Sequence, residues 1–311
     1  MNQNPLAPAT FTFADIPESA ARYETSRFVL IPAGYDRTTS YGSGAHRGPA
    51  AIFEAAKQVE LYDEELRRNT YLDGIWVCRS PELSAEGPHR IVESTAELVE
   101  AALRDGKIPV ILGGEHTVSL GGIQACQAAH TPLTVVQIDA HADLRDQYEG
   151  SPYSHACVMR RAADMGCRLV QIGIRSLSEE EAIWLDHNPE KSRIHYARDI
   201  VNRPDPTWIR TLAESIRTPV YLTIDIDGLD PSIAPATGTP EPGGLSWYQT
   251  LQVLRELCRA NTIIGFDLVE LSPIPGFLAP DYLAARLLYR LMGYVSLGSK
   301  LPSLASIPFT E

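Results

Sequence analysis

The sequence predicts an α/β fold of three layers (α/β/α), with a mainly parallel central sheet and helices on both of its faces. Three observations predict it. Short apolar runs rich in Val and Ile alternate with longer amphipathic stretches along the chain. The apolar runs are continuous rather than alternating, as strands buried on both faces are. Several of them end abruptly in clustered Asp, Glu and His, at the C-terminal strand ends where open parallel sheets place their ligands.

The candidate strands span residues 28–31, 108–112, 133–139, 169–174, 220–226 and 262–269. The candidate helices span residues 90–104, 117–129, 206–216, 247–259 and 281–294. Alternation of strand and helix favours crossover connections and hence parallel pairing. No composition shift, low-complexity linker or internal repeat divides the 311 residues. The chain therefore reads as one domain, residues 1–311, in which residues 1–25 form an N-terminal extension that could pack on a neighbouring subunit.

Composition narrows the function. The chain is 44% hydrophobic, enough for a substantial core. No stretch approaches the roughly 20 uninterrupted apolar residues of a membrane span. The opening Met1-Asn2-Gln3-Asn4-Pro5 lacks the basic and apolar regions of a secretory signal, so a soluble cytoplasmic protein is expected. Cys78, Cys126, Cys157, Cys167 and Cys258 are scattered and never spaced as CxxC, which points to reduced thiols rather than disulfides or a zinc site. A net charge of −12 disfavours nucleic acid and anionic membrane as partners.

The polar strand ends carry the chemistry. The strand at 108–112 delivers Gly113-Gly114-Glu115-His116, and that at 133–139 runs into Asp139-Ala140-His141-Ala142-Asp143. The strand at 220–226 leads through Asp225-Ile226-Asp227 to Asp230-Pro231, and that at 262–269 delivers Glu270. Residues i, i+2 and i+4 of an extended chain point to one side. Asp139, His141 and Asp143 can therefore converge, as can Asp225 and Asp227. With His116 they offer two imidazoles and four carboxylates, whose charge balances two divalent ions. A thiolate-free, carboxylate-rich set suits a hard or borderline cation such as Mn2+. Two ions close together can lower the pKa of a shared water and make a nucleophile at neutral pH. A single Asp-x-Asp at a strand end is usually a capping device, and Gly-Gly-Glu-His alone is as readily a glycine turn. Three such motifs on separate strands leave little room for accident.

These same motifs, with the longer run Thr223-Ile224-Asp225-Ile226-Asp227-Gly228-Leu229-Asp230-Pro231, closely resemble the three signatures of the ureohydrolases, the family of arginase and agmatinase. The resemblance begins near Gly34-Tyr35-Asp36 and Gly44-Ala45-His46-Arg47-Gly48-Pro49, and it ends at Leu283-Ala284-Ala285-Arg286. It implies an arginase-like fold, two manganese ions per subunit, urea as product and a homo-oligomer, commonly a trimer or hexamer. It also implies a division of ligands: His116, Asp139, Asp143 and Asp225 for one ion, Asp139, His141, Asp225 and Asp227 for the other, with Asp139 and Asp225 bridging. Asp230 falls outside this set, and its place before Pro231 suggests either a turn or a role supporting the ligands from behind.

The resemblance further implies that His155, in Tyr153-Ser154-His155-Ala156-Cys157, serves as proton shuttle. Ala156 departs from the glycine common in relatives, which bears on loop geometry more than on chemistry. Glu270 matches the glutamate that grips the guanidinium, a pairing suited to two parallel N–H groups. The expected reaction is attack of a metal-bridging hydroxide on the guanidinium carbon, with the leaving amine protonated by way of Asp143 or His155.

The substrate tail is read from the loop at 144–154. It lacks the Asn- and Ser/Thr-rich pattern of arginases and looks similar to that of agmatinases, so agmatine, cleaved to putrescine and urea, is the expected substrate. Tyr148, Glu149 and Tyr153 are candidates to receive its distal ammonium. Arg145 keeps a carboxylate-bearing substrate in view, so 4-guanidinobutyrate, 3-guanidinopropionate, guanidine and arginine stand as alternatives. A catalytically silent relative is a further one, although every ligand and catalytic position is filled. A zinc deacetylase on a similar sheet is disfavoured, because the paired Asp and His signatures fit two metals.

Overall fold

The structure, a computed structural model, describes residues 5–81, 87–203, 205 and 207–301. Each apolar run forms a strand because its aliphatic and β-branched residues tolerate burial on both faces of a pleated sheet. In chain order the strands are β1 (Phe28–Ala33), β2 (Tyr62–Asp63), β3 (Arg68–Asn69), β4 (Ile75–Val77), β5 (Ile108–Gly113), β6 (Thr134–Ile138), β7 (Arg168–Ile174), β8 (Ser192–Tyr196), β9 (Val220–Asp225) and β10 (Ile263–Val269). Eight of them make one sheet in the order β4-β1-β5-β10-β9-β6-β7-β8, and each neighbouring pair in it is parallel. β2 and β3 form a separate antiparallel hairpin.

The helices are α1 (Gly48–Ala56), α2 (Pro88–Arg104), α3 (Ser119–Ala129), α4 (Val158–Asp164), α5 (Glu179–His187), α6 (Ala197–Ile200), α7 (Thr207–Ser215), α8 (Trp247–Ala260) and α9 (Ala279–Leu297). They bury the two faces of the sheet separately. Phe28, Leu30, Val110 and Leu112 join the core under α1, α8 and α9. Their strand neighbours Val29, Ile31 and Ile111 point the other way, to the core under α2, α3 and α4. That alternation is the period of two expected of a strand.

The central strands and long helices stand close to where the sequence puts them, and the expected three-layer parallel fold is the observed one. β4 and β8 were not anticipated. β4 has only three residues, and β8 (Ser-Arg-Ile-His-Tyr) is a half-buried edge strand without a continuous apolar run. The short helices α1, α4, α5 and α6, with 9, 7, 9 and 4 residues, were likewise unmarked. The helix expected at 206–216 is seen as α7, and Pro206 lies outside the described residues.

The N-terminal extension packs on its own chain from residue 5 onward, and residues 1–4 lie outside the description. Leu6 and Phe13 are fully buried. Ala9 N–H donates to the Val77 carbonyl at 3.0 Å and Arg79 N–H to the Ala7 carbonyl at 2.7 Å, which covers the edge of β4. Among the described residues, no helix is long and apolar enough to cross a membrane. All five cysteines are free and buried.

Candidate metal centre

β5, β10, β9 and β6 are the four middle strands, and each ends in a residue of the cluster. After β5 the chain turns through Gly114 into a short 3-10 turn, His116–Val118. A Cβ on Gly114 would stand 1.9 Å from the Tyr35 carbonyl oxygen, so only glycine lets the backbone pass. After β6, Asp143 adopts a left-handed conformation, φ 53°, and after β10 Glu270 does the same, φ 64°. Such backbone is uncommon outside glycine and concentrates at functional sites. The Glu270 N–H donates to the Gly114 carbonyl at 2.8 Å, which ties the ends of β10 and β5 together.

The six expected ligand residues meet. His116 Nδ1 lies 2.9 Å from Asp143 Oδ2, 3.2 Å from Asp139 Oδ2 and 3.7 Å from Asp225 Oδ2. His141 Nδ1 lies 2.9 Å from Asp227 Oδ2 and 3.6 Å from Asp139 Oδ1. Two ligand groups result, His116 with Asp139 and Asp225, and Asp139 with His141 and Asp227, each with donor atoms within 4.8 Å of one another. Asp139 is common to both.

Surrounding groups orient the cluster. Gln137 Nε2 donates to Asp139 Oδ2 at 2.7 Å, and the His141 N–H donates to Asp139 Oδ1 at 2.6 Å. The Ala140 N–H donates to Asp227 Oδ1 at 3.0 Å, and the Asp227 N–H to Asp225 Oδ1 at 2.8 Å. Thr223 Oγ1 lies 2.7 Å from His116 Nε2 and donates its own hydrogen to Asp267 Oδ1 at 2.7 Å. Having spent that hydrogen, Oγ1 can only accept from the ring, so Nε2 carries the imidazole hydrogen and Nδ1 presents its lone pair.

This arrangement fits divalent cations. His116 Nδ1 is buried and has no hydrogen-bond partner in the described protein, although carboxylates surround it. Buried polar atoms rarely go unmatched, so an orphan facing acidic oxygens marks a place for a cation. The carboxylates repel one another in the same way. Burial, then the charges of Asp227 and Asp139, push Asp225 well above the ordinary carboxylate range. Burial and Asp139 push Asp143 up to about 7. Oxygen and imidazole donors without thiolate match hard or borderline divalent ions.

The cluster forms the floor of a pocket whose walls include Tyr41, Tyr148, His155 and Glu270. His155 is half-buried, and burial above all lowers its pKa to about 4. It is therefore neutral near pH 7. The Tyr148 ring meets His155 edge-on at 5.7 Å between centroids, and the Arg145 guanidinium lies over the Tyr148 ring at 5.2 Å. Buried Glu270 accepts the His116 N–H on Oε1 at 2.6 Å, and its Oε2 accepts no hydrogen bond among the described residues. Burial, then Glu115, raise the Glu270 pKa above the ordinary carboxylate range.

The three tail candidates separate. Tyr148 stands on the pocket wall. Glu149 occupies the tip of the hairpin closed by Tyr148 and Ser151, is exposed, and is not a lining residue. The Tyr153 ring packs near His89 at 6.4 Å, also off the pocket lining. Asp230 holds a turn, accepting the N–H groups of Ser232, Gly243 and Gly244 at 2.9 to 3.0 Å.

Residues at the site that escaped the sequence reading include Thr38, Glu115, Gln137, Glu181, Thr223 and Asp267. The last left a usable signal, a carboxylate inside the otherwise apolar run of β10. Glu115 left a weaker one, an acidic residue beside His116 in a stretch that ends fully buried. Thr38 left none, because a threonine in a polar loop has no pattern.

A parallel α/β sheet with imidazoles and buried carboxylates at its middle strand ends, on the floor of a pocket, is an arrangement that can hold divalent ions for hydrolysis. The chain belongs to the arginase family, whose sequence model matches residues 26–293. It is 42% identical to the N(1)-aminopropylagmatine ureohydrolase of Synechocystis, over 89% of this chain and 92% of that protein. It is 31% identical to the agmatinase of Pyrococcus horikoshii, over 91% of this chain and 97% of that protein. The crystal structure of agmatine ureohydrolase of Thermoplasma volcanium superposes with a TM-score of 0.83 at 33% identity, covering 94% of this chain and 97% of that one.

Proposed function

We propose that the chain hydrolyses the guanidinium group of an amine-tailed guanidine, N1-aminopropylagmatine or agmatine, releasing urea with two Mn2+ ions bound in the buried cluster. The observation that carries this is the charge of the pocket. Beyond the ligand carboxylates, whose charge two divalent ions would balance, Glu181 and Glu270 line it, and Arg145 is the one Lys or Arg among the lining residues. Such a lining attracts a cation and penalises a free carboxylate on the tail. The sequence reading chose agmatine. The aminopropyl derivative now stands beside it because the relative named for it is 42% identical, against 31% for the Pyrococcus horikoshii agmatinase.

In this reading His116, Asp139, Asp143 and Asp225 would hold one ion and Asp139, His141, Asp225 and Asp227 the other. Divalent ions bound there would supply a nucleophile at neutral pH, because a bound ion lowers the pKa of water. Glu270 pairs with two N–H groups of the guanidinium and aims its central carbon at the floor of the pocket, and orientation of this kind can supply a large part of a barrier. A C–O bond forms at that carbon and the C–N bond to the tail breaks. Neutral His155 relays a proton from solvent-facing groups to the departing amine, which leaves as an ammonium while urea leaves uncharged. Exposed Tyr248, Phe277, Leu278 and Tyr282 suit a contact between copies in a homo-oligomer.

The test is urea release with Mn2+ across N1-aminopropylagmatine, agmatine, arginine, 4-guanidinobutyrate, 3-guanidinopropionate and guanidine. The two amine-tailed substrates are expected to have the highest kcat/KM. Preference for arginine or a guanidino acid overturns the assignment of the tail. No urea from any of them overturns the activity.

A further inference from the structure

Residues 36–44 cross the mouth of the pocket, and Thr39, Ser40, Tyr41 and Gly42 line it. The anchor of this loop is Glu115, a fully buried side chain. Its Oε2 accepts the Thr38 N–H at 2.7 Å, and its Oε1 accepts the Thr38 hydroxyl at 2.7 Å. On its other side the same hydroxyl lies 3.4 Å from His155 Nδ1 and 3.4 Å from the His155 backbone nitrogen. These contacts are long, as acid–base contacts often are before substrate closes a site.

A hydroxyl has one hydrogen to give. Thr38 gives it to Glu115, so only lone pairs remain for His155. The facing Nδ1 then carries the ring hydrogen, and Nε2 is left as the basic nitrogen. Ser154 Oγ, 3.3 Å from Nδ1, can turn to accept the same hydrogen and accommodates this tautomer.

We propose that Thr38, anchored by Glu115, is a positioning residue that holds His155 in its place and in the Nδ1–H tautomer, so that Nε2 handles the proton. The inference rests on the reading of His155 as proton carrier. It makes the loop at the pocket mouth part of the proton machinery as well as a wall for the tail.

The test is a double-mutant cycle on urea release by the Mn2+-loaded enzyme. Thr38→Val keeps the shape and removes the hydroxyl, while Thr38→Ser keeps the hydroxyl. Thr38→Val is expected to lower kcat by about tenfold, a share of what a positioned acid–base group contributes, with KM changed far less. Thr38→Ser is expected to stay near wild type, and Mn2+ stoichiometry is expected to hold in both. In a His155→Ala background, Thr38→Val should cost nothing further. If Thr38→Val does not fold, Thr38→Ala takes its place in the cycle. Full activity in the Thr38 variant while His155→Ala is impaired overturns the positioning role and leaves the His155 reading standing. An equal loss in both backgrounds also overturns it, because Thr38 then acts elsewhere. Full activity of His155→Ala overturns both readings together.

Discussion

His116 and Thr223 meet across two strand ends, with the imidazole Nε2 2.7 Å from the threonine Oγ1. Thr223 passes its hydrogen to Asp267, which also accepts the Tyr221 hydroxyl at 2.8 Å. The pair turns the Nδ1 lone pair of His116 toward the carboxylates. Thr223→Val keeps the volume and deletes the acceptor, so the ring loses its preference for one tautomer. Mn2+ affinity is expected to fall by about 10- to 100-fold, the usual cost of losing a partner behind a metal ligand. Equilibrium dialysis against Mn2+ checks this, and an unchanged affinity would reduce the hydroxyl to packing.

Glu270→Gln keeps the side-chain shape and an acceptor for the His116 N–H, but removes the charge that pairs with the guanidinium. Truncating one partner of a desolvated charge pair costs about 2–5 kcal/mol, so kcat/KM is expected to fall by about 100-fold or more. The number and affinity of bound Mn2+ ions should change little, since Glu270 belongs to neither group of ligands. Loss of stoichiometric Mn2+ in this variant would mean that Glu270 acts on the metals rather than the substrate.

The motifs at the strand ends were legible because each follows a run of apolar residues whose own burial aims the next residues at one place. His116, Asp139 and Asp225 come together for that reason, although they lie far apart in the chain. What supports them was not legible. Thr38 touches Glu115 and His155 only after β1 and β5 pair, and nothing local marks that pairing. The edge strand β8 escaped because half-buried Ser192, Ile194 and Tyr196 give no apolar run. Glu149 and Tyr153 sit in the right loop, but the hairpin closed by Tyr148 and Ser151 presents Tyr148 alone of the three to the pocket.

Gly114→Ala places a methyl group 1.9 Å from the Tyr35 carbonyl oxygen, where the neighbour is backbone and has little freedom to move. Overpacking of this kind costs about 1–3 kcal/mol or more. Because Gly114 also accepts from Glu270, the strain should reach the site. Urea denaturation should show a lower midpoint and the Mn2+ assay a weaker affinity. Wild-type values for both would show that the β5 turn can shift without cost.

His195 offers a pH dependence away from the cluster. It stacks on Trp208 at 5.3 Å, and burial, then Arg193 and Arg203, lower its pKa to about 4 from the ordinary 6.5. Between those values the unfolded chain binds a proton that the folded chain refuses. Stability is therefore full above pH 6.5, falls as pH drops toward 4, and levels off below that for this group. His195→Phe keeps a ring on Trp208 and removes the proton, so its denaturation midpoint should lose less between pH 7.5 and pH 5 than that of the wild type. Equal losses would assign the acid sensitivity to other groups.

The hydrogen bond from the His116 backbone to Glu270 joins residues 154 positions apart. Loops of that length close late, because their entropy is lost before any contact rewards it. His116, Asp139, Asp225 and Glu270 come together only when β5, β6, β9 and β10 are all in register. No fragment of the chain shorter than that span can assemble the whole site. On the proposed reading, tight binding of Mn2+ would follow folding of the middle strands, and its appearance during refolding would report that the middle of the sheet has closed.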